Sequence, residues 1–261
     1  MRRALVTGAS SGIGAAVARR LAERGDRVVL MARGLERLEA VRADLPGDGH
    51  MVVPCDVSDE SALTAAMGKV REATGALDLV VCNAGVGYRA PIAELEVESI
   101  DTLLATNVRG PLLLARETFE LLRAGDRPVF VHVASVVARR GVPGQAVYSA
   151  SKAAVLSIAQ AQRVEWAESG IAVSVLSPGL TSTGFFDAQD NPAGLEPPDL
   201  SSSDSAVAVA DEILRLDRDP QPERDLRFKW RVLGALAPLA PRLADRLFVG
   251  RIGGDWKRPE R

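Results

Sequence analysis

The chain has 261 residues, 47% of them hydrophobic and 25% charged, the balance of a soluble globular protein and a length for one large domain or two small ones. A formal charge of −2 leaves no basic footprint, so nucleic acid is not an expected partner. Two cysteines and two distant histidines supply neither a disulfide framework nor a metal cluster, and no metal is expected.

In chain order, Met1-Arg2-Arg3 is basic, but a strand follows at once instead of an apolar secretory core, so no signal peptide is expected. Strands are expected at 4–7, 27–32, 51–55, 77–82, 129–134 and 172–176. Helices are expected at 13–23, 35–45, 60–73, 100–122 and 147–168. Strands alternating with helices imply parallel pairing through right-handed crossovers. The strands read as continuous apolar runs, as they do when helices cover both faces of a sheet. The expected fold is therefore α/β: a single-domain, Rossmann-type, doubly wound parallel sheet with helices on both faces. Cys55 and Cys82 fall at strand ends and are expected as buried thiols, which a reducing cytoplasm suits.

No repeat or linker divides residues 1–261, which read as one domain whose cofactor-binding and catalytic core spans 1–183. Residues 179–205 are rich in Gly, Pro, Ser, Thr and Asp, too long for mere connection, and are expected to form a substrate loop. A short helix is expected at 205–216, then a polar stretch. Residues 225–261 are an unusual extension with an apolar tail at 232–249, interrupted by Pro238 and Pro241.

Thr7-Gly8-Ala9-Ser10-Ser11-Gly12-Ile13-Gly14 stands where the first strand meets the first helix. Glycines there permit a tight turn, close approach of backbone to a pyrophosphate and helix–sheet packing. The amides of the helix N-terminus then face the anion. An acid at the tip of the second strand would hold a ribose 2′-hydroxyl, but the run is Leu30-Met31-Ala32-Arg33-Gly34. Arg33 suits a 2′-phosphate, so NADP(H) is favoured. Glu36 lies close enough to reach a ribose instead, which leaves NAD(H) open.

Tyr148 and Lys152 are four apart in an expected helix and so share a face. A tyrosine with an ordinary pKa of about 10 transfers protons poorly near neutrality, and a neighbouring cation lowers that value. Tyr148 is thus a candidate general acid/base. His132, in an apolar strand, reads as a packed core residue.

Thr7 to Gly14 and Tyr148 with Lys152 belong to an ordered set of motifs that resembles the short-chain dehydrogenase/reductase family, of the compact single-domain type, over about residues 4–183. The set comprises Thr7 to Gly14, Asp56-Val57, Asn83-Ala84-Gly85, Asn107, Ser135, Tyr148 with Lys152, and Pro178-Gly179 with Thr183. Thirteen residues separate Ser135 from Tyr148, as the family pattern expects. The resemblance implies that Gly8, Ser10, Ser11, Gly12, Ile13 and Gly14 line the phosphate site and Arg33 meets the 2′-phosphate. Asp56 and Val57 would hold adenine; Asn83, Ala84 and Gly85 would pass beneath the ribose. Tyr148 would move the proton, Ser135 would hold the carbonyl oxygen, and Lys152 would bind the nicotinamide ribose and depress the tyrosine pKa. Asn107 would anchor a water, while Pro178, Gly179, Thr181 and Thr183 would position the nicotinamide.

The activity so implied is NADP(H)-dependent hydride transfer between nicotinamide and a ketone, aldehyde or alcohol. An NAD-dependent alcohol dehydrogenase and a catalytically silent dinucleotide sensor or scaffold are the alternatives. Val136, Val137, Arg139, Gln145, Phe185, Phe186 and Tyr88 are the expected substrate contacts. They suit an uncharged, partly apolar carbonyl, although Arg139 could meet a carboxylate. Small molecules are the expected substrates, and a homodimer or homotetramer formed through the 100–122 and 147–168 helices is implied by resemblance. The family's closing segment is missing here. Residues 225–229 are expected to form a short last strand, and Gly253-Gly254 lacks its usual context. The tail reads as a substrate lid, an oligomer contact or a membrane-surface segment, with the first two favoured. It is too short and too broken by proline for a membrane span.

Overall fold

The computed structural model describes residues 1–227, 231, 232, 234 and 236–252. The chain runs β1 (Arg3–Thr7), α1 (Gly12–Glu23), β2 (Arg27–Ala32), α2 (Leu35–Ala43), β3 (Met51–Pro54), α3 (Glu60–Thr74) and β4 (Leu79–Cys82). After it come α4 (Val97–Leu104), a π-helical turn (Ala105–Arg109), α5 (Gly110–Arg123), β5 (Val129–Val133), α6 (Ala146–Glu165) and β6 (Ala172–Ser177). Two short strands, β7 (Thr181–Ser182) and β8 (Asp204–Ser205), close the long loop; α7 (Ala206–Arg218), β9 (Glu223–Asp225) and α8 (Pro241–Ile252) complete the order.

Seven strands form one sheet in the order β3-β2-β1-β4-β5-β6-β9, and every neighbouring pair is parallel. Side chains alternate between two covered faces, so each strand can be apolar throughout. Leu5, Val80, Phe130 and Val175 pack on one side with residues of α3, α5 and α6. Val6, Val81, Val131 and Leu176 pack on the other with residues of α1 and α7. Central β1 pairs with β2 on one side and β4 on the other, so the strand order reverses beside it. Ligands of open α/β sheets bind at the carboxyl ends of strands flanking such a reversal. The expected doubly wound fold is the one observed.

Local chemistry sets the boundaries. Asp59 caps α3, its Oδ1 accepting the Ala62 N–H at 3.0 Å, and Gly75 ends that helix at φ 66°. Ser205 caps α7 through the Ala208 N–H at 3.1 Å. Two expectations need correction. The helix expected at 100–122 is two helices joined by the π turn, because its apolar spacing continues through a turn that carries one extra residue. The last strand is Glu223–Asp225 and not 225–229, of which 228 and 229 lie outside the described residues. Its register puts Glu223, Arg224 and Asp225 beside Val175, Leu176 and Ser177. Gly253-Gly254 also lies outside the described residues. Both cysteines are free and buried, as expected. Among the described residues no helix is long and apolar enough to cross a membrane, and no group of acids, cysteines and histidines could hold a metal.

Candidate active site

A cleft of about 520 Å³ opens at the carboxyl ends of β1, β4, β5 and β6. An open depression over Ser58, Asp59, Glu60, Ser61 and Arg109 is of similar size, about 580 Å³. It is shallow and borders none of Ser135, Tyr148 and Lys152, so the cleft is where these groups meet.

The cleft floor is the glycine turn. Gly8 and Gly12 have φ of 66° and 54°, backbone that only glycine adopts without strain. A Cβ on Gly14 would lie 2.2 Å from Gly8 O, which shows how closely α1 is drawn onto β1. No side chain caps α1 and its first turn holds no acid, so its leading amides are left for an anion in the cleft. Thr7 joins β1 to β4: its Oγ1 accepts the N–H groups of Asn83 and Ala84, each at 3.0 Å. Asn83 Nδ2 donates to Thr7 O at 2.9 Å. This bracing role of Thr7 could not be read from the sequence, since it depends on which strand lies beside β1.

Ser10, Ser11, Gly12, Ile13, Arg33, Asp56, Val57, Ala84, Gly85, Pro178, Gly179, Thr181 and Thr183 all line the cleft with Gly8 and Asn83. Gly14 sits behind it in the packing. Arg33 is exposed and makes no ion pair among the described residues. Arg37, one helical turn on in α2, lines the same corner and was missed, because its reach back across Gly34 is a tertiary fact. Asp56 accepts from Ser58 N at 2.9 Å and Ser58 Oγ at 2.7 Å, which fixes the loop after β3. These features fit a dinucleotide: a glycine cradle, an unblocked helix terminus and two guanidiniums at the far end.

Ser135, Tyr148 and Lys152 converge at the other end of the cleft. Ser135 ends the loop after β5, where Val136 N donates to Pro178 O at 3.0 Å and holds that loop on β6. Tyr148 and Lys152 lie on one face of α6, with Lys152 Nζ 5.7 Å from the Tyr148 ring centre. Lys152 Nζ donates to Val133 O at 3.1 Å. Asn107 sits in the π turn and is buried; its Oδ1 accepts from Val86 N and its Nδ2 donates to Val86 O, both at 2.9 Å. A Cβ on Gly85 would stand 3.2 Å from Asn107 Oδ1 and 3.5 Å from Lys152 Nζ, so glycine keeps the space between those two groups open.

Burial controls the proton affinities. It pushes the Tyr148 phenol well above its ordinary value, and the Ser135 side chain offsets part of the rise. It also pushes Lys152 down to about 8. The expected depression of the Tyr148 pKa by Lys152 is therefore not what this geometry gives: both groups are buried, and the ammonium is engaged by Val133 O. Lys152 is one of four lysines in a chain with 28 arginines, and arginine could not shed its proton here.

Of the expected substrate contacts, Val136, Val137, Gln145, Phe185 and Phe186 line the cleft. The Phe185 ring lies 5.8 Å from that of Tyr148 and 5.6 Å from that of Phe186. Arg139 does not line it: its guanidinium is bound by Asp225 and Glu223. Tyr88 is buried, its hydroxyl accepting the Glu96 N–H at 2.9 Å, and it packs beneath the loop. His132 is also core, as expected, with Nε2 2.6 Å from Gln162 Oε1.

A family model described as short chain dehydrogenase matches residues 2–193. The chain is 33% identical over 203 residues to an uncharacterized oxidoreductase of Staphylococcus aureus (strain USA300), covering 77% of this chain and 87% of that protein. It is 35% identical over 189 residues to another of Staphylococcus haemolyticus, covering 72% and 82%. Among solved structures it is similar to a 3-ketoacyl-(acyl-carrier-protein) reductase from Brucella melitensis complexed with NADH (TM-score 0.77, 29% identity, 86% of this chain and 96% of that one). An alcohol dehydrogenase from Thermococcus sibiricus complexed with 5-hydroxy-NADP is similar to the same degree (TM-score 0.77, 26% identity, 87% and 96%). The chain belongs to the short-chain dehydrogenase family of oxidoreductases.

Proposed function

We propose that this protein is an NADP(H)-dependent oxidoreductase that interconverts a ketone or aldehyde and its alcohol. The observation that carries this reading is the convergence of Ser135, Tyr148 and Lys152 on one wall of a cleft whose far corner holds Arg33 and Arg37. The binding of NADH and of 5-hydroxy-NADP by the two structural relatives supports a nicotinamide dinucleotide in the same cleft. When bound, that cofactor gives or takes the hydride.

The chain's own groups do the rest. Tyr148 keeps its proton at neutral pH because burial disfavours the phenolate. It is therefore set to donate that proton to an alkoxide developing on a carbonyl oxygen. The Ser135 hydroxyl holds the same oxygen, and both bonds strengthen as charge grows there. Lys152 supplies positive charge and ribose contact behind Tyr148. Asn107, held rigid by Val86, offers Oδ1 towards Lys152 for a bridging water. Phe185, Phe186, Val136 and Val137 give the substrate end an apolar wall, with Gln145 as a polar contact. The substrate class that fits is an uncharged, partly apolar carbonyl compound, since Arg139 is consumed in ion pairs. Leu104 and Leu112, on α4 and α5, and Val164 on α6 are exposed, and we assign them to contacts between subunits of a homodimer or homotetramer.

The test is parallel titration of NADPH and NADH into the wild-type protein and Arg33→Ala. Tight NADPH binding that the substitution weakens by about tenfold or more, with NADH unchanged, is expected for a lost charged hydrogen bond. Equal affinity for both cofactors in both proteins would overturn the NADP assignment. Binding of neither would overturn the reading as a whole.

A further inference from the structure

The residues after 227 carry charge opposite to the rest of the chain. They hold eight Lys or Arg against three Asp or Glu, whereas residues 1–227 hold 24 against 31. The same stretch keeps apolar side chains in water: Leu236, Leu239 and Leu243 are 55%, 80% and 57% exposed, and Val232 joins them. Arg242 and Arg246 are exposed beside them and make no ion pair among the described residues, and Arg231, also exposed, lends charge to Glu223. Asp245, the acid between the last two, is taken by Arg140. On α8 residues 242 and 246 are four apart and 243 lies next to 242, so a basic stripe borders an apolar one.

The segment is fixed to the body on the substrate side. A Cβ on Gly234 would stand 2.5 Å from Arg139 Cβ, and Asp245 pairs with Arg140. Both arginines follow Val136 and Val137, which line the cleft. No described residue beyond Ala188 lines that cleft, so the described part of the segment stands beside it and does not cover it. A two-fold contact through it would set like charges against each other. Leucines edged by unpaired arginines match a lipid surface instead: apolar groups enter the acyl boundary and guanidiniums bind headgroup phosphates.

We infer that α8, with Arg231, Val232, Leu236 and Leu239 before it, docks the protein on an anionic lipid bilayer surface beside the mouth of its cleft. This rests on charge and exposure and is independent of the redox reading. The test is sedimentation of the full chain with vesicles of phosphatidylcholine alone and of phosphatidylcholine mixed with phosphatidylglycerol. Pelleting is expected with the mixed vesicles and is weakened by added salt. Arg242→Glu with Arg246→Glu is expected to weaken it roughly thirtyfold or more, from the loss of two basic side chains at the surface. Leu239→Asp with Leu243→Asp is expected to abolish it. All four side chains are exposed, so both variants should keep the wild-type unfolding midpoint; should the leucine variant unfold, the arginine variant decides. No pelleting with mixed vesicles, or equal pelleting with both kinds, overturns the inference. A concentration-dependent mass by light scattering that the leucine variant lowers, without vesicle binding, assigns the face to a second copy and likewise overturns it.

Discussion

Arg139 holds Asp225 through two parallel hydrogen bonds, Nε to Oδ1 at 3.0 Å and Nη2 to Oδ2 at 2.9 Å, and the same Nη2 reaches Glu223 Oε2 at 2.8 Å. The Asp225 side chain is 1% exposed, so its charge depends on this fork. The clamp joins β9 to the turn that follows Ser135. Arg139→Ala should therefore destabilise the fold by about 3 kcal/mol or more, the cost of stranding a buried carboxylate. Urea unfolding measures it, and Arg139→Lys should recover only part because an ammonium cannot make the fork. A loss below about 1 kcal/mol would place this pair with ordinary surface ion pairs.

Tyr148→Phe removes the proton donor and little else, because the ring remains packed beside Phe185. Turnover of an NADPH-coupled carbonyl substrate should fall by about 10²–10⁴, the range for a lost general acid. NADPH affinity should stay at the wild-type value. Retained turnover with normal binding would remove Tyr148 from the role given to it.

The pH profile follows from the two buried groups on α6. Lys152 is held down to about 8, whereas Tyr148 is pushed up, so on raising the pH the lysine loses its proton first. The rate of carbonyl reduction should be level near neutrality and bend downward around pH 8, by about tenfold per further pH unit for one lost proton. A profile level to about pH 10, the ordinary lysine and tyrosine range, would show that Lys152 does not control it.

His132 sets an acid limit on stability. Burial lowers its pKa to about 4, whereas an unfolded histidine titrates near 6.5. The unfolded chain therefore takes up a proton first as the pH falls, and stability present above about 6.5 is lost on the way to 4. Between about pH 7 and pH 5 the loss from this residue should be roughly 2 kcal/mol. His132→Gln keeps a donor for Gln162 Oε1 and removes the titration, so its urea midpoint should depend less on pH across that window.

The parts of this protein that the sequence reveals are those set by local rules. Apolar runs such as Val129–Val133 are strands because both faces are covered, and Gly8, Gly12 and Gly14 mark a turn that no other residue would tolerate. Tyr148 and Lys152 were legible because helical spacing alone puts them on one face. What escaped depends on partners far along the chain. Arg139 looked free for a substrate, yet its partners are 84 and 86 residues away. Glu223–Asp225 has no strand-like composition and is a strand because β6 and Arg139 hold it there. Tyr88 looked like a pocket residue until the loop folded over it. The π turn was hidden because one extra residue barely disturbs the apolar rhythm from 97 to 123.

The all-parallel register has a consequence for how the chain assembles. Val6 is flanked by Leu30 on one side and Val81 on the other, and among the described residues no adjacent pair in the sheet is a hairpin. Each pairing must wait for a crossover to close, which makes folding slow relative to chains rich in local contacts. The seam between β1 and β4 cannot form until residues some 75 positions apart have met. The cleft straddles that seam, so its two walls come from stretches that leave the ribosome at different times. A ligand spanning both walls would act as a late stitch, slowing unfolding by tying the early half of the chain to the late one.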